Sequence, residues 1–294
     1  MLGRRSRNAI NFVSFTAPAL TLIILFLGVP LATSLLYAFT TWDGIGSGVE
    51  YVGLANFVRI FSAREAVFWQ SVVFTLKYTL ANMVLVNAVG LGIALLLTSR
   101  VPLKSFFRAS FFSPFVLSII VVAFIWRFIF IKGSAAAFDL TGIGIFQTSW
   151  LSDPDVVFSS FVIVSMWQSV GFFMVIYIAG LESIPPELYE AGKIDGAGPI
   201  AEFRLITMPM LGPAVTTTIF FSLIGSLKVF DIVFALTRGG PGSLTYSVAY
   251  DIFQTGYIER RFGLGTAKGL LLFLFILLAT LFQLRFARRR VVEL

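Results

Sequence analysis

Long apolar runs separated by short charged or glycine- and proline-bearing stretches set the pattern of this chain. A helix needs about 20 apolar residues to cross the hydrocarbon core of a bilayer, and six runs reach or approach that length. They are Phe12–Phe39, Val72–Leu97, Ala109–Ile131, Val156–Leu181, Met208–Leu227 and Gly269–Leu284, the last beginning a turn earlier. Pro30 predicts a kink in the first run. The connections read as a glycine-rich loop over Thr41–Glu65, a basic loop at Arg100, Lys104 and Arg108, and a loop over Gly133–Asp155. A cytoplasm-sized interruption follows at Glu182–Arg204, then a long polar connection over Lys228–Lys268. The pattern predicts an all-α membrane protein with six transmembrane helices.

Composition narrows the chemistry. Of 294 residues, 57% are hydrophobic and only 13% charged, about half the charge of a typical soluble domain. There is no Cys and no His, which removes disulfides, thiolate nucleophiles, imidazole bases and His metal ligands. The net charge of +7 sits mostly in the tails and short loops, where lipid headgroups and topology account for it better than nucleic acid. Spans one, four, five and six are expected to lack ionisable residues, which argues against an ion-coupled secondary transporter. Charged rings or a carbonyl filter for a channel are absent too. Lys77, near one end of the second run, reads as a snorkelling side chain.

An even number of spans puts both termini on one side. Arg4, Arg5 and Arg7 precede the first run, and Arg285, Arg288, Arg289 and Arg290 follow the last, so both tails are expected in the cytoplasm. The domain reading is a tail over 1–11, a six-span membrane domain over 12–284 and a tail over 285–294. A signal peptide is the rival reading of the first run, but that run is too long for one and more spans follow.

The interruption between spans four and five, 182–209, is charged and helix-compatible. Pro186 can open a helix, and Glu187 and Glu190 occupy its first turn, where the dipole favours acids. Gly196 and Gly198-Pro199 stop it, and Ile200–Ile206 reads as a second short helix ended by Pro209. The small residues Ala191, Gly192 and Gly196 allow close approach of another protein; an ordinary solvated loop reads equally well. Within span four, Ser165, Gln168, Ser169 and Phe172 share one helical face beside Trp167, and in span five Thr216, Thr217 and Thr218 precede Ser222 and Ser226. Polar groups inside a membrane are costly unless used, while Ser and Thr also simply pack helices together. Lys228 and Asp231 read as a pair on one helix face or as groups reaching a solute. Gly239-Gly240-Pro241-Gly242 lacks the Lys of a phosphate-binding loop; it is a connector or an outer gate.

Glu190-Ala191-Gly192, then Gly196, Ile206 and Pro209, resembles the EAA loop of permease subunits in binding-protein-dependent ABC importers. Gly192 stands where that pattern has a second Ala, and Met208 where it has Leu. Phe106-Phe107-Arg108 through Trp126-Arg127-Phe128, and Leu227-Lys228-Val229-Phe230-Asp231 with Leu236-Thr237-Arg238-Gly239-Gly240-Pro241, are similar to carbohydrate importer permeases of the type represented by the larger maltose permease and the glycerol-phosphate permease. The resemblance implies an EAA-type cytoplasmic hairpin that docks an ATPase through Glu190, Ala191, Gly192, Asp195, Gly196, Ile206 and Pro209. It implies sugar contacts at Gln168, Ser169, Phe172, Ser222 and Ser226, and an outer gate or pairing role for Lys228, Asp231, Gly239, Gly240 and Pro241. Expected partners are a second permease, two ATPase subunits, an extracytoplasmic sugar-binding protein and membrane lipid. The chain itself is expected to be no enzyme and to hold no cofactor or metal, with ATP and Mg on the ATPase. Expected alternatives are an ABC importer permease for a non-sugar solute and a channel subunit.

Overall fold

A computed structural model describes residues 4–99 and 101–288, with side chains over 12–99 and 101–286. The side chains of Arg4, Arg5, Arg7, Arg100, Arg288, Arg289 and Arg290, on which the topology reading leans, lie outside that set. Among the described residues five helices are long and apolar enough to span a bilayer, and a bent pair completes a sixth. The spans are Phe12–Tyr37, Ala63–Thr98, Ile119–Thr141, Val157–Glu182, the pair Pro199–Met210 and Gly212–Leu227, and Phe262–Phe286.

The chain forms two compact units, one made of residues up to Glu65 with Ile252–Leu271, the other of Ala66–Asp251 with the residues from Leu272 on. In the first unit, span one carries a π turn at Ile24–Gly28 just ahead of Pro30. Proline has no N–H for the carbonyl four residues back, so the ladder is disturbed where the sequence predicts. Tyr37 stacks on Trp42 with ring centroids 4.2 Å apart, and Phe262 meets Trp42 edge-on. Glu65 is buried and accepts from three cations. Arg59 Nε donates to Oε1 at 3.0 Å, Arg261 Nη2 to the same oxygen at 2.8 Å, and Lys268 Nζ to Oε2 at 2.9 Å. Lys268 also donates to Thr255. This corrects the expectation for the last span: its helix runs Phe262–Arg288, so Lys268 is an ionisable residue well inside it. The Glu65 carboxylate and the Thr255 hydroxyl help neutralise and solvate the ammonium, which permits its burial.

In the second unit, spans two, four and five pack together. The buried face of span two is a polar stripe of Ser71, Thr75, Tyr78, Thr79 and Asn82 at helical spacing, continued by the small residues Gly90 and Ala94. At Gly90 the backbone of span four comes close: a Cβ there would sit 3.1 Å from Phe173 Cβ and 3.3 Å from the Met174 nitrogen. Small residues at a crossing are how membrane helices gain dispersion contacts without a hydrophobic driving force.

The third run differs from expectation. It begins earlier, as a helix over Lys104–Val116, breaks at Leu117 and Ser118, and resumes at Ile119–Phe128. It then continues through a π turn into Ser134–Thr141, where a loop was predicted. Leu117 and Ser118 are extended. The Lys104–Val116 helix crosses span four at Gly171, where a Cβ would collide with the Phe111 carbonyl oxygen. The long connection after span five is also not a solvated loop. Short helices Asp231–Leu236 and Val248–Phe253 bury Ile232, Val233, Leu236, Val248 and Tyr250. Apolar residues at these positions carry the chain back into the core.

Candidate functional site

Two places bring the candidate residues together. The first is the hairpin between spans four and five. Pro186–Ile194 is helical, with Pro186 in the first turn and Glu187 near the positive end of the dipole. Gly196 follows with φ +75°, a left-handed conformation that side-chain-bearing residues resist. The second helix starts at Pro199 and runs through a π turn, Phe203–Thr207, into Met208–Met210. Pro209 therefore does not end it; the break comes at Leu211, and the axis turns by 67° into Gly212–Leu227. Pro209 falls in the short Met208–Met210 piece that follows the π turn.

Gly192 faces Ile206, whose Cδ1 would lie 2.8 Å from an added Cβ. So two of the residues of the loop pattern touch each other across the hairpin. Tyr189 shares a hydrogen bond of 3.1 Å with Thr207. Tyr189, Ile206 and Met210 pack on a buried cluster that includes Met174, Tyr177, Ile178, Ile184, Leu211 and Ala214. Arg108 Nη2 donates to Glu182 at 2.6 Å, joining the Lys104–Val116 helix to the hairpin's entrance. Glu190 and Asp195 are exposed, and Ala191 and Gly196 are exposed beside them. The exposed face of the hairpin thus carries Glu187, Glu190 and Asp195 together with Lys193 and small residues.

The second place is a cleft of about 470 Å³ in the core of the second unit. Gln168, Ser169, Phe172, Ser222 and Ser226 all line it, as do Lys228 and Asp231. Phe172 stacks on Phe115 at 4.7 Å and meets Phe221 edge-on, so apolar faces make one wall. Gln168 Nε2 donates to the Leu117 carbonyl at 3.4 Å. That carbonyl belongs to the break in the third run, so the amide satisfies a group the break exposes. Lys228 and Asp231 form no ion pair with each other, in contrast to the structural pairing favoured by their spacing. Lys228 ends span five and Asp231 opens the next short helix, with Val229 and Phe230 outside both helices; the i,i+3 argument needs one continuous helix.

Four residues that sequence reasoning passed over belong to the same polar network: Tyr78 and Asn82 line the cleft, and Asn87 and Tyr177 stand behind it. Asn82 Nδ2 donates to Ser226 at 2.9 Å, and Asn87 Nδ2 to Ser222 at 3.1 Å. Tyr177 donates to Asn87 Oδ1 at 2.7 Å and accepts from Thr218 at 2.9 Å. Tyr78 and Ser165 share a bond of 2.6 Å. Asn82 Oδ1 is buried with no partner, an acceptor held open beside the cleft. The missed signal is plain: amides inside an apolar span are costly and need a use. Gly239, Gly240 and Pro241 lie elsewhere. They form a turn in which Thr245 Oγ1 donates to the Gly240 carbonyl at 2.7 Å and Tyr250 donates to the Arg238 carbonyl at 3.0 Å.

Residues 87–292 match the family described as binding-protein-dependent transport system inner membrane component. The chain is 38% identical, over 98% of its length and 97% of the relative's, to the probable starch degradation products transport system permease protein of Thermoanaerobacterium thermosulfurigenes. It is 32% identical to the trehalose/maltose transport system permease protein of Thermococcus litoralis, covering 93% of this chain and 92% of that one. In fold it is similar to a chain of a bacterial ABC transporter involved in the import of the acidic polysaccharide alginate. There the TM-score is 0.83 at 20% identity, over 96% of both chains. On the strength of the matched family and of these whole-length relatives, the chain belongs to the inner membrane components of binding-protein-dependent transport systems.

Proposed function

We propose that this permease forms half of the translocation path of an ATP-driven carbohydrate importer. The observation that carries the reading is the cleft, which gathers amides, hydroxyls and stacked Phe rings from spans two to five around one solute-sized volume. Hydroxyl-rich, apolar-faced solutes need that mixture. The named transport roles of the relatives, starch degradation products and trehalose or maltose, favour the same class. A second permease supplies the other half, two ATPase subunits hold ATP and Mg and perform the hydrolysis, and an extracytoplasmic binding protein delivers the sugar. The hairpin lies on the cytoplasmic side with both termini, and Glu190 seats in the ATPase.

The test is the assembled complex in proteoliposomes, assayed with a panel of sugars and of non-sugar solutes. Glu190→Arg is expected to reduce ATPase co-purification and to abolish transport, because it reverses charge on the docking surface. Unchanged assembly and transport would remove the docking role. Stimulation of ATP hydrolysis by an amino acid or a phosphate compound, and by no sugar, would replace the substrate class.

A further inference from the structure

A second cavity, of about 620 Å³, lies in the same unit at the opposite end of span four from the hairpin. Its wall is built by the end of the third run, the loop that leads into span four, and the turn at Thr237, Gly240 and Pro241. Its size falls within the range of about 300–1,000 Å³ usual for small-molecule sites. Trp150 stacks on Phe130 with centroids 5.4 Å apart and ring planes 23° from parallel. The loop is pinned there because buried Ser160 donates to the Trp150 carbonyl at 2.8 Å. The side chains of Arg127, Asp139 and Gln147 line the cavity with no hydrogen bond or ion pair among the described residues. An indole plane, a guanidinium, a carboxylate and an amide around one hollow are the groups that bind a pyranose ring, face to face and by its hydroxyls.

A line of packed aromatic rings runs from the cavity toward the cleft. Phe130 meets Trp126 at 5.3 Å, and Trp126 meets Trp167 edge-on at 5.7 Å. Trp167 neighbours Gln168, which lines the cleft. The short helix Asp231–Leu236 has its first residue on the cleft and its last on the second cavity, a separation of about 7.5 Å by helical rise.

From this placement we infer that the cavity at Trp150 is an entry subsite for a glycosyl unit, occupied before or together with the cleft. The inference rests on the carbohydrate reading given above. The Trp150 plane offers a face for the ring, and Arg127, Asp139 and Gln147 offer groups for its hydroxyls. The turn at Gly240 and Pro241 is then part of the subsite's wall.

The experiment uses the assembled importer in proteoliposomes with its binding protein. The probe is whichever of maltose, maltotetraose and trehalose the wild type moves fastest. Trp150→Ala removes the stacking plane and is expected to raise the KM for uptake about fivefold, with the maximal rate and basal ATP hydrolysis within about twofold of wild type. Trp150→Phe keeps a plane on Phe130 and is expected to restore the KM, which separates lost stacking from lost folding. Gln147→Ala is expected to raise KM in the same direction. An unchanged KM in Trp150→Ala, with wild-type transport intact, overturns the subsite and leaves the carbohydrate reading standing. Weakened attachment of the binding protein to Trp150→Ala complexes overturns it as well, since the cavity would then hold a protein loop. If the wild type moves none of the three sugars, the carbohydrate reading fails first and the subsite falls with it.

Discussion

Gly171 sets how near the Lys104–Val116 helix can come to span four. An added methyl would meet the Phe111 carbonyl and stand 2.7 Å from Phe112 Cα, both backbone atoms that no rotamer change can move. Gly171→Ala is therefore expected to destabilise the fold by at least about 1–3 kcal/mol, read as a lower midpoint of thermal unfolding in detergent. Gly92, also helical, faces open space. Gly92→Ala is expected to be neutral or to stabilise by about 0.5–1 kcal/mol, and a comparable loss at both sites would show that helix crossing is not the cause. At this scale part of the candidate site was legible. Gln168, Ser169 and Phe172 share one helical face, and Ser222 and Ser226 stand four apart, so spacing alone groups them. Asn82, Asn87 and Tyr177 escaped because each sits singly in an apolar run, and only the fold shows that they point at hydroxyls from other spans.

Among the elements, the glutamate that joins the end of one connection to the last helix carries the clearest energetic consequence. Lys268 and Glu65 are both nearly sealed from solvent, their side chains 2% and 8% exposed. Removing one partner of a buried pair leaves the other charged and uncompensated, a loss of about 3–5 kcal/mol. Glu65→Gln is expected to lower stability by that order, measured by unfolding of the purified protein, whereas Lys268→Met should cost less because Arg59 and Arg261 still neutralise the carboxylate. A double variant no worse than Glu65→Gln alone confirms that the two act as one unit. Run lengths made spans one and four legible almost to the residue, whereas spans two, five and six begin earlier than their apolar runs, at Ala63, Pro199 and Phe262. The break at Leu117–Ser118 was not legible, because neither residue is Gly or Pro and the apolar run passes over it without a mark. The connection after span five misled for the opposite reason: scattered charges made it look solvated, while its Val, Ile and Leu are buried between them.

For the molecule as a whole, sidedness is the reading with the least internal support, since much of it rests on Arg-rich tails. A chain with no Cys makes the measurement direct. Ser149→Cys, in the loop leading into span four, is expected to react with a membrane-impermeant thiol reagent added to intact spheroplasts. Asp195→Cys, in the hairpin, is expected to react only after the membrane is opened. The reverse result would place the hairpin outside and end its role as a docking surface for an ATPase.

The joint at Leu211 has a mechanical meaning. Two helical arms, Pro199–Met210 and Gly212–Leu227, meet there at 67°, and Leu211 itself is fully enclosed by its neighbours. The inner arm measures about 18 Å and the outer about 24 Å by helical rise. If the angle stays rigid, the piece works as a bell crank: a sideways pull on the short arm is turned through the corner and arrives at the far tip, where Ser226 and Lys228 stand, magnified by about a third.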